Sequence, residues 1–427
     1  MNPVIVIPSC WDRSARVGAL GERGVYDYTT PIDKPLPELE VCLSSLERVS
    51  GVLRVIVLVV APKECEDAAR ARVNSICRSH ADLNPLVIGA KEAAHVERAV
   101  ARMAHHVAGE TVSLRGYGAI RNMGLAVAAV LGHDVVVFLD DDEVVTEPDF
   151  LTKAVWGLGS LTRQNLQVLA KSGFFIDKLG SPYAEPSSEW SEKYWSKAAD
   201  FNRVMERAQT SASRITRSNH LCGGCCALHA AAFSKVPFDP YITRGEDLDY
   251  VLNLRANGMD AWFDNEWYVE AQPPEEMAGA PSVFMQDVHR WLYEYRKLDA
   301  RRDLRTITPE SLMPYPAPWL AAGVCRRVFR TALRRFITGP DRLAYLRILT
   351  KGRYEADKFA RSASSRYLSF AMVWPTIVSA LWGDRVIASA ILSTGQVAPR
   401  AAHAAPAAPE SDPLADTGAF PVQGGGR

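Results

Sequence analysis

The sequence predicts an α/β protein in which a mostly parallel, Rossmann-like sheet is flanked by helices and followed by a helical C-terminal extension. Three observations carry that expectation. Short apolar runs alternate with stretches of helical spacing over the first 150 residues, as βαβ units require. One run, Val135-Val136-Val137-Phe138-Leu139, ends abruptly in Asp140-Asp141-Asp142, and a strand buried on both faces reads as such a run. Beyond residue 320 the apolar positions recur every four residues, the signature of an amphipathic helix.

In chain order, residues 3–9 read as a first strand and residues 10–37, with their Gly, Pro and charges, as a loop. Pro37 to Val49 has helical spacing, with Leu39, Val41, Cys42 and Leu46 on one side. Val52 to Val60 is a second strand, stopped by Ala61-Pro62, and Glu64 to His80 an amphipathic helix. Leu86-Val87-Ile88 is a short third strand, and Lys91 to Val107 another helix. The glycine-rich turn Arg115-Gly116-Tyr117-Gly118 opens a helix that runs to Leu131, with Gly132 as its stop. The acidic strand follows. Residues 180–220 are polar, carry Trp190, Tyr194 and Trp195, and read as a loop or helical insertion over the site. Leu221 to His229 is a run of small residues that lets a backbone or sugar ring approach closely. Arg244-Gly245-Glu246-Asp247 opens a helix that ends near Asn257-Gly258.

The chain has 427 residues, 49 basic and 49 acidic, so its overall charge gives nucleic acid no attraction. The N-terminus has no basic region ahead of its apolar residues and reads as a strand, which makes a cytoplasmic location the expectation. Eight cysteines are scattered, and the Cys222, Cys225 and Cys226 group lacks a second pair at zinc-like spacing.

Three adjacent carboxylates repel one another and call for a cation. Oxygen donors without His or Cys suit Mn²⁺ or Mg²⁺ held together with phosphates, and ligands of open α/β sheets bind beyond the carboxyl ends of strands. A charged surface turn is the plain alternative for Asp140 to Asp142, and simple capping the alternative for Glu246 and Asp247.

The ordered set Val4 to Pro8, Arg121-Asn122-Met123-Gly124-Leu125, Phe138 to Asp142, Gly223-Gly224 and Gly245-Glu246-Asp247 followed by Arg255, Asn257 and Gly258 resembles the family-2 inverting glycosyltransferases of the GT-A fold. The resemblance covers roughly residues 1–295. It implies sugar transfer from a nucleotide-sugar donor. It further implies that Asp140 and Asp142 hold the metal and diphosphate, with Asp141 sharing that task or contacting the ribose. Pro8 and Arg121 fall on the donor side. Asp247 is the implied general base, Glu246 the group that positions the acceptor, and Gly223 and Gly224 the loop beside the two sugars. His289 stands where many members place a further metal or phosphate ligand; an ordinary core or surface histidine is the alternative. Gln286 and Arg290-Trp291 are one residue too far apart for the Q-x-x-R-W of processive synthases, so a long polymer is not the expected product.

Trp319 to Ile337 carries Arg326, Arg327, Arg330, Arg334 and Arg335 opposite its apolar residues. This suits an anionic membrane surface at the inner face of the membrane, or packing on the catalytic part with a solvated basic face. Tyr367 to Trp382 has no charge but is short and contains Pro375, so it reads as interfacial, re-entrant or buried. The expected division is a catalytic domain over 1–295, a helical extension over 296–392 and a disordered tail over 393–427. The expected acceptor is a glycan or lipid-linked hydroxyl. A sugar nucleotidylyltransferase and a catalytically silent membrane-binding scaffold are the rival readings. The first lacks a good basic glycine-rich loop at Ser9-Cys10-Trp11-Asp12-Arg13. The second has no use for both acidic clusters.

Overall fold

The computed structural model describes residues 1–14, 28–104, 109–185, 194–272, 280–300 and 307–397. Trp190 and the tail from 398 onward lie outside the described residues. The first half runs β1 (Pro3–Asp12), β2 (Thr30–Pro31), α1 (Glu38–Leu46), β3 (Val55–Val60), α2 (Glu66–Ser79), β4 (Pro85–Ile88), α3 (Ala90–Met103), α4 (Tyr117–Val130) and β5 (Val135–Phe138). Apart from β2, which lies in the stretch expected to be loop, these elements follow the expected order, with ends shifted by a few residues. Next come β6 (Glu143–Val144), α5 (Phe150–Val155), β7 (Ala170–Ile176), α6 (Lys197–Gln209), β8 (Ile215–Ser218), β9 (Cys226–His229), α7 (Ala230–Phe233), α8 (Glu246–Ala256) and β10 (Ala261–Ala271).

The main path through the sheet is β4-β3-β1-β5-β9-β7-β10-β6. The pairs β4-β3, β3-β1 and β1-β5 are parallel, whereas β9 runs antiparallel to both β5 and β7. The sheet is therefore mixed, parallel in its N-terminal half. Alternate residues divide between two cores, as the pleat requires. Val4, Val6, Ile56, Leu58, Val136 and Phe138 face one layer of helices, and Ile5, Ile7, Val55, Val57, Val135 and Val137 the other. Both faces are covered, which is why these strands read as unbroken apolar runs. The chain leaves β1 toward β3 and β4, then returns to place β5 on the other side of β1. This reversal opens a crevice where β1 and β5 end.

The C-terminal part holds α9 (Ala280–Ala300), α10 (Ala317–Leu320), α11 (Val324–Thr338), α12 (Arg342–Arg347), α13 (Arg353–Leu381) and α14 (Arg385–Gly395). The expected single helix over 319–337 is thus two, broken before Val324. One face of the uncharged stretch of α13 is buried: Tyr367, Phe370, Trp374, Ile377 and Leu381 join the sheet's core, and Trp374 Nε1 donates to the Phe233 carbonyl at 2.7 Å, while Met372 on the other face is exposed. Helix α14 reaches past the expected start of the tail at 393, with Val397 N donating to the Pro85 carbonyl at 3.2 Å. Among the described residues no single helix is long and apolar enough to cross a membrane.

Candidate functional site

The crevice at the ends of β1 and β5 is a cleft of about 250 Å³. Pro8, Arg121, Asp140, Asp141, Asp142 and Glu246 line it, together with Cys10, Tyr28, Thr30, Glu38, Tyr117 and Ile120. Six of the expected site residues therefore share one cavity. Tyr28, Thr30 and Glu38 come from a stretch that reads as featureless loop and helix start. Thr30 enters because β2 extends the sheet beside Trp11 and Asp12.

Arg121 is the centre of the arrangement. It sits in the first turns of α4, a helix buried on every side, with its guanidinium 4.9 Å from the Phe138 ring centroid. Its Nη2 donates to Asp140 Oδ1 at 2.7 Å and its Nε to Glu246 Oε1 at 3.3 Å. One cation thus bridges acidic groups more than 100 residues apart. Burial works against the Arg121 charge, but Asp140 and Glu246 outweigh it and hold its pKa above the ordinary value. The neighbouring Asn122 fixes the helix from the other side, taking the Phe238 N–H at 2.8 Å and donating to the Thr111 and Phe238 carbonyls at 2.9 Å.

The three aspartates are held differently. Asp141 Oδ2 accepts the Ser9 hydroxyl at 2.6 Å, and Ser9 in turn accepts the Trp11 indole N–H at 2.8 Å. Burial, then repulsion from Asp142, pushes the Asp141 carboxyl well above its usual range. Burial, then Asp140, pushes Asp142 up to about 7. Carboxylates crowded in this way fit a divalent cation. Among the described residues, no three His, Cys, Asp or Glu side chains are grouped closely enough to hold a metal ion by themselves. Such an open oxygen site suits an ion that completes its shell with water and phosphate oxygens, as Mg²⁺ does.

Glu143 is a fourth acid that sequence reasoning passed over, although it directly follows the other three. Its Oε2 accepts the Asp140 N–H at 3.1 Å, and its own N–H donates to the Asp140 carbonyl at 3.2 Å. This closes the acidic turn on itself. A Cβ added to Gly224 would lie 2.2 Å from Glu143 Oε2. In this structure Gly224 makes room for Glu143. Gly223 lies between Arg121 and Asp247, 3.1 Å from Nη2 and 3.5 Å from Asp247 Cβ measured from its own ideal Cβ position. We expect Gly224→Ala to displace the Glu143 carboxylate and lower the Tm, because overpacking at a buried contact typically costs about 1–3 kcal/mol. Glu143→Ala/Gly224→Ala restores the space but not the hydrogen bond. Thermal unfolding of both variants checks this, and an unchanged Tm in Gly224→Ala would refute it.

Helix α8 is preceded by Gly245, whose φ of +73° is a left-handed conformation that suits glycine. A Cβ there would lie 2.0 Å from Arg290 Cζ. Glu246 is buried, and burial, partly countered by Arg121, pushes its carboxyl up to about 7. Asp247 is half-buried, and its Oδ1 accepts the Leu248 N–H at 2.6 Å. It stands beside Gly223, at the edge of the cleft and not among its lining residues. His289 is buried on α9 next to Arg290 and does not line this cleft. Trp195 is also elsewhere: it packs 4.7 Å from Trp319 and 4.8 Å from Phe284, and so belongs to the C-terminal helices.

The sequence matches no family model and no curated protein. Among solved structures, the chain is similar to a mannosyltransferase from Pyrobaculum calidifontis in complex with GDP-Man and Mn²⁺, at 15% identity over 91% of this chain and 86% of that one, with a TM-score of 0.44. It is also similar to glucosyl-3-phosphoglycerate synthase from Mycobacterium tuberculosis in complex with Mn²⁺, uridine diphosphate and phosphoglyceric acid, at 13% identity over 64% and 71% of the two chains, with a TM-score of 0.33.

Proposed function

We propose that the chain is a metal-dependent glycosyltransferase of the GT-A type. It moves a sugar from a nucleoside-diphosphate sugar to a hydroxyl of a glycan or lipid-linked acceptor, with inversion at the anomeric carbon. The observation that carries the reading is the bridge made by Arg121, which brings an acidic strand end and an acidic helix start to one cleft at the sheet's point of reversal.

Asp140 and Asp142 would hold Mn²⁺ or Mg²⁺, which would supply positive charge opposite the diphosphate. Asp141, pinned by Ser9, faces the same cleft and contacts the ribose or shares the cation. Asp247 takes the proton of the acceptor hydroxyl as its oxygen bonds to the anomeric carbon and the bond from that carbon to the diphosphate breaks. Glu246 orients the acceptor, and Arg121 keeps Glu246 and Asp140 at fixed separation while shielding one from the other.

Thermal unfolding with UDP-, GDP- and CMP-sugars, with and without Mn²⁺, tests the reading. A ligand that binds only the folded chain adds about 2.7 kcal/mol of stability at 100 times its Kd. The expected result is a Mn²⁺-dependent rise in Tm with one nucleotide class. A rise with nucleoside triphosphates alone would assign a nucleotidylyltransferase, and no rise with any nucleotide would favour the silent scaffold. The pH dependence has a definite sign. Asp141 and Asp142 are raised above their unfolded values, so the metal-free fold is favoured at low pH. It loses that advantage as pH rises through about 7. Mn²⁺ displaces those protons, so its share of the Tm rise grows from about pH 6 to about pH 8. A share that is flat across that range would contradict the assignment of these ligands.

A further inference from the structure

Helix α11 does not bury its whole apolar stripe. Val324, Val328 and Ala332 face inward, in one core with Trp291 and Val288 of α9. Phe329, Leu333 and Ile337 form a second row, four residues apart, that faces out at 42%, 37% and 58% exposure. The adjoining α12 adds Leu343, 82% exposed, and Leu346. Isolated exposed apolar residues are ordinary, but a row of them on one segment marks an interaction surface. The same segment is strongly basic. Residues 324–353 contain nine Lys and Arg and a single acid, Asp341, in a chain of zero net charge. Arg326, Arg330, Arg342, Arg347 and Lys351 are exposed.

We propose that this outward face of α11 and α12 docks on an anionic lipid bilayer. The apolar row enters the boundary between headgroups and acyl chains, and the guanidinium groups reach the anionic headgroups. Charge complementarity selects this occupant. A second copy of the chain would set one basic face against another. A nucleic acid would match the charge but leave Phe329, Leu333 and Ile337 in water. The assignment does not depend on sugar transfer, and its test needs no substrate.

The full-length protein is sedimented with phosphatidylcholine vesicles that contain or lack one third phosphatidylglycerol. We expect binding to the anionic vesicles alone, reversed at about 1 M salt, where the Debye length falls to about 3 Å. Arg326→Gln and Arg342→Gln, on separate helices, should each weaken partitioning about fivefold. Leu333→Ser/Ile337→Ser should weaken it more than tenfold. These side chains are exposed, so the variants should keep the parent Tm, which confirms that folding is intact. Absence of binding to anionic vesicles, equal binding to neutral ones, or undiminished binding by all three variants would overturn the proposal. So would a concentration-dependent dimer that Leu333→Ser/Ile337→Ser dissolves, because the row would then be a contact between copies.

Discussion

Replacing Arg121 by Met should destabilise the protein by about 3 kcal/mol at about pH 8, the cost of stranding the partner of a buried ion pair. Arg121 and Glu246 are nearly inaccessible, with side-chain exposures of 7% and 8%. Asp140, at 37%, still reaches water, so most of the cost falls on Glu246. The penalty should shrink as pH drops. Arg121 is what holds the Glu246 carboxyl down against burial, and without it Glu246 takes a proton more readily and ceases to be a stranded charge. Urea unfolding at about pH 8 and at about pH 5, on either side of the Glu246 titration, measures the effect. A midpoint unchanged at the alkaline end would mean that the bridge does not hold the two acidic segments together. Arg121→Met/Glu246→Gln should recover part of the loss, because groups in contact are not additive.

Asp247→Asn should lower kcat by about 10²–10⁴-fold, the usual contribution of a positioned base, while leaving the donor-induced rise in Tm intact. Glu246→Gln makes the comparison decisive. Its carboxyl is pushed up to about 7, a value suited to accepting a proton near neutrality, but Arg121 occupies Oε1. If Glu246 orients the acceptor, Glu246→Gln raises KM more than it lowers kcat. A larger fall in kcat for Glu246→Gln than for Asp247→Asn would exchange the two roles. Donor binding that vanished in Asp247→Asn would remove Asp247 from the acceptor side altogether.

The N-terminal half was readable because its physics is local. Val135 to Leu139 is apolar at every position since both faces of β5 are covered, and the acids that follow stand at the strand's end. The strands after residue 143 were not readable for the opposite reason. β7 and β10 carry Lys171 and Asp264, both fully buried, which break the apolar pattern and look like surface residues. In the folded chain they neutralise one another at 2.9 Å, and Arg214 adds a second bond to Asp264 at 3.0 Å. Such compensation between residues 93 apart leaves no trace in periodicity. Glu143 was missed because it looks like one more acid in a run, yet it alone turns back to accept the Asp140 N–H. The basic and apolar sides of α11 were legible as a pattern, but the division of the apolar side into a buried and an exposed row depends on which neighbours cover it.

Helix α8 presents Glu246 and Asp247 at one end, and its hold on the rest of the molecule lies further along. Lys297 Nζ donates to both oxygens of Asp249 at 2.8 and 2.9 Å and to Asp239 Oδ2 at 2.6 Å. Tyr293 donates to Asp239 at 2.7 Å, and the Tyr367 ring of α13 lies 3.7 Å from the ammonium. A polypeptide cut at residue 295 would keep every acid proposed for the chemistry and discard Lys297, which ties Asp249 of α8 to Asp239. Asp239 would then face Asp249 of α8 with no cation between them, and the helix would lose that tie to α9. A catalytic piece ending there would need another cation between Asp239 and Asp249 before α8 could keep its place.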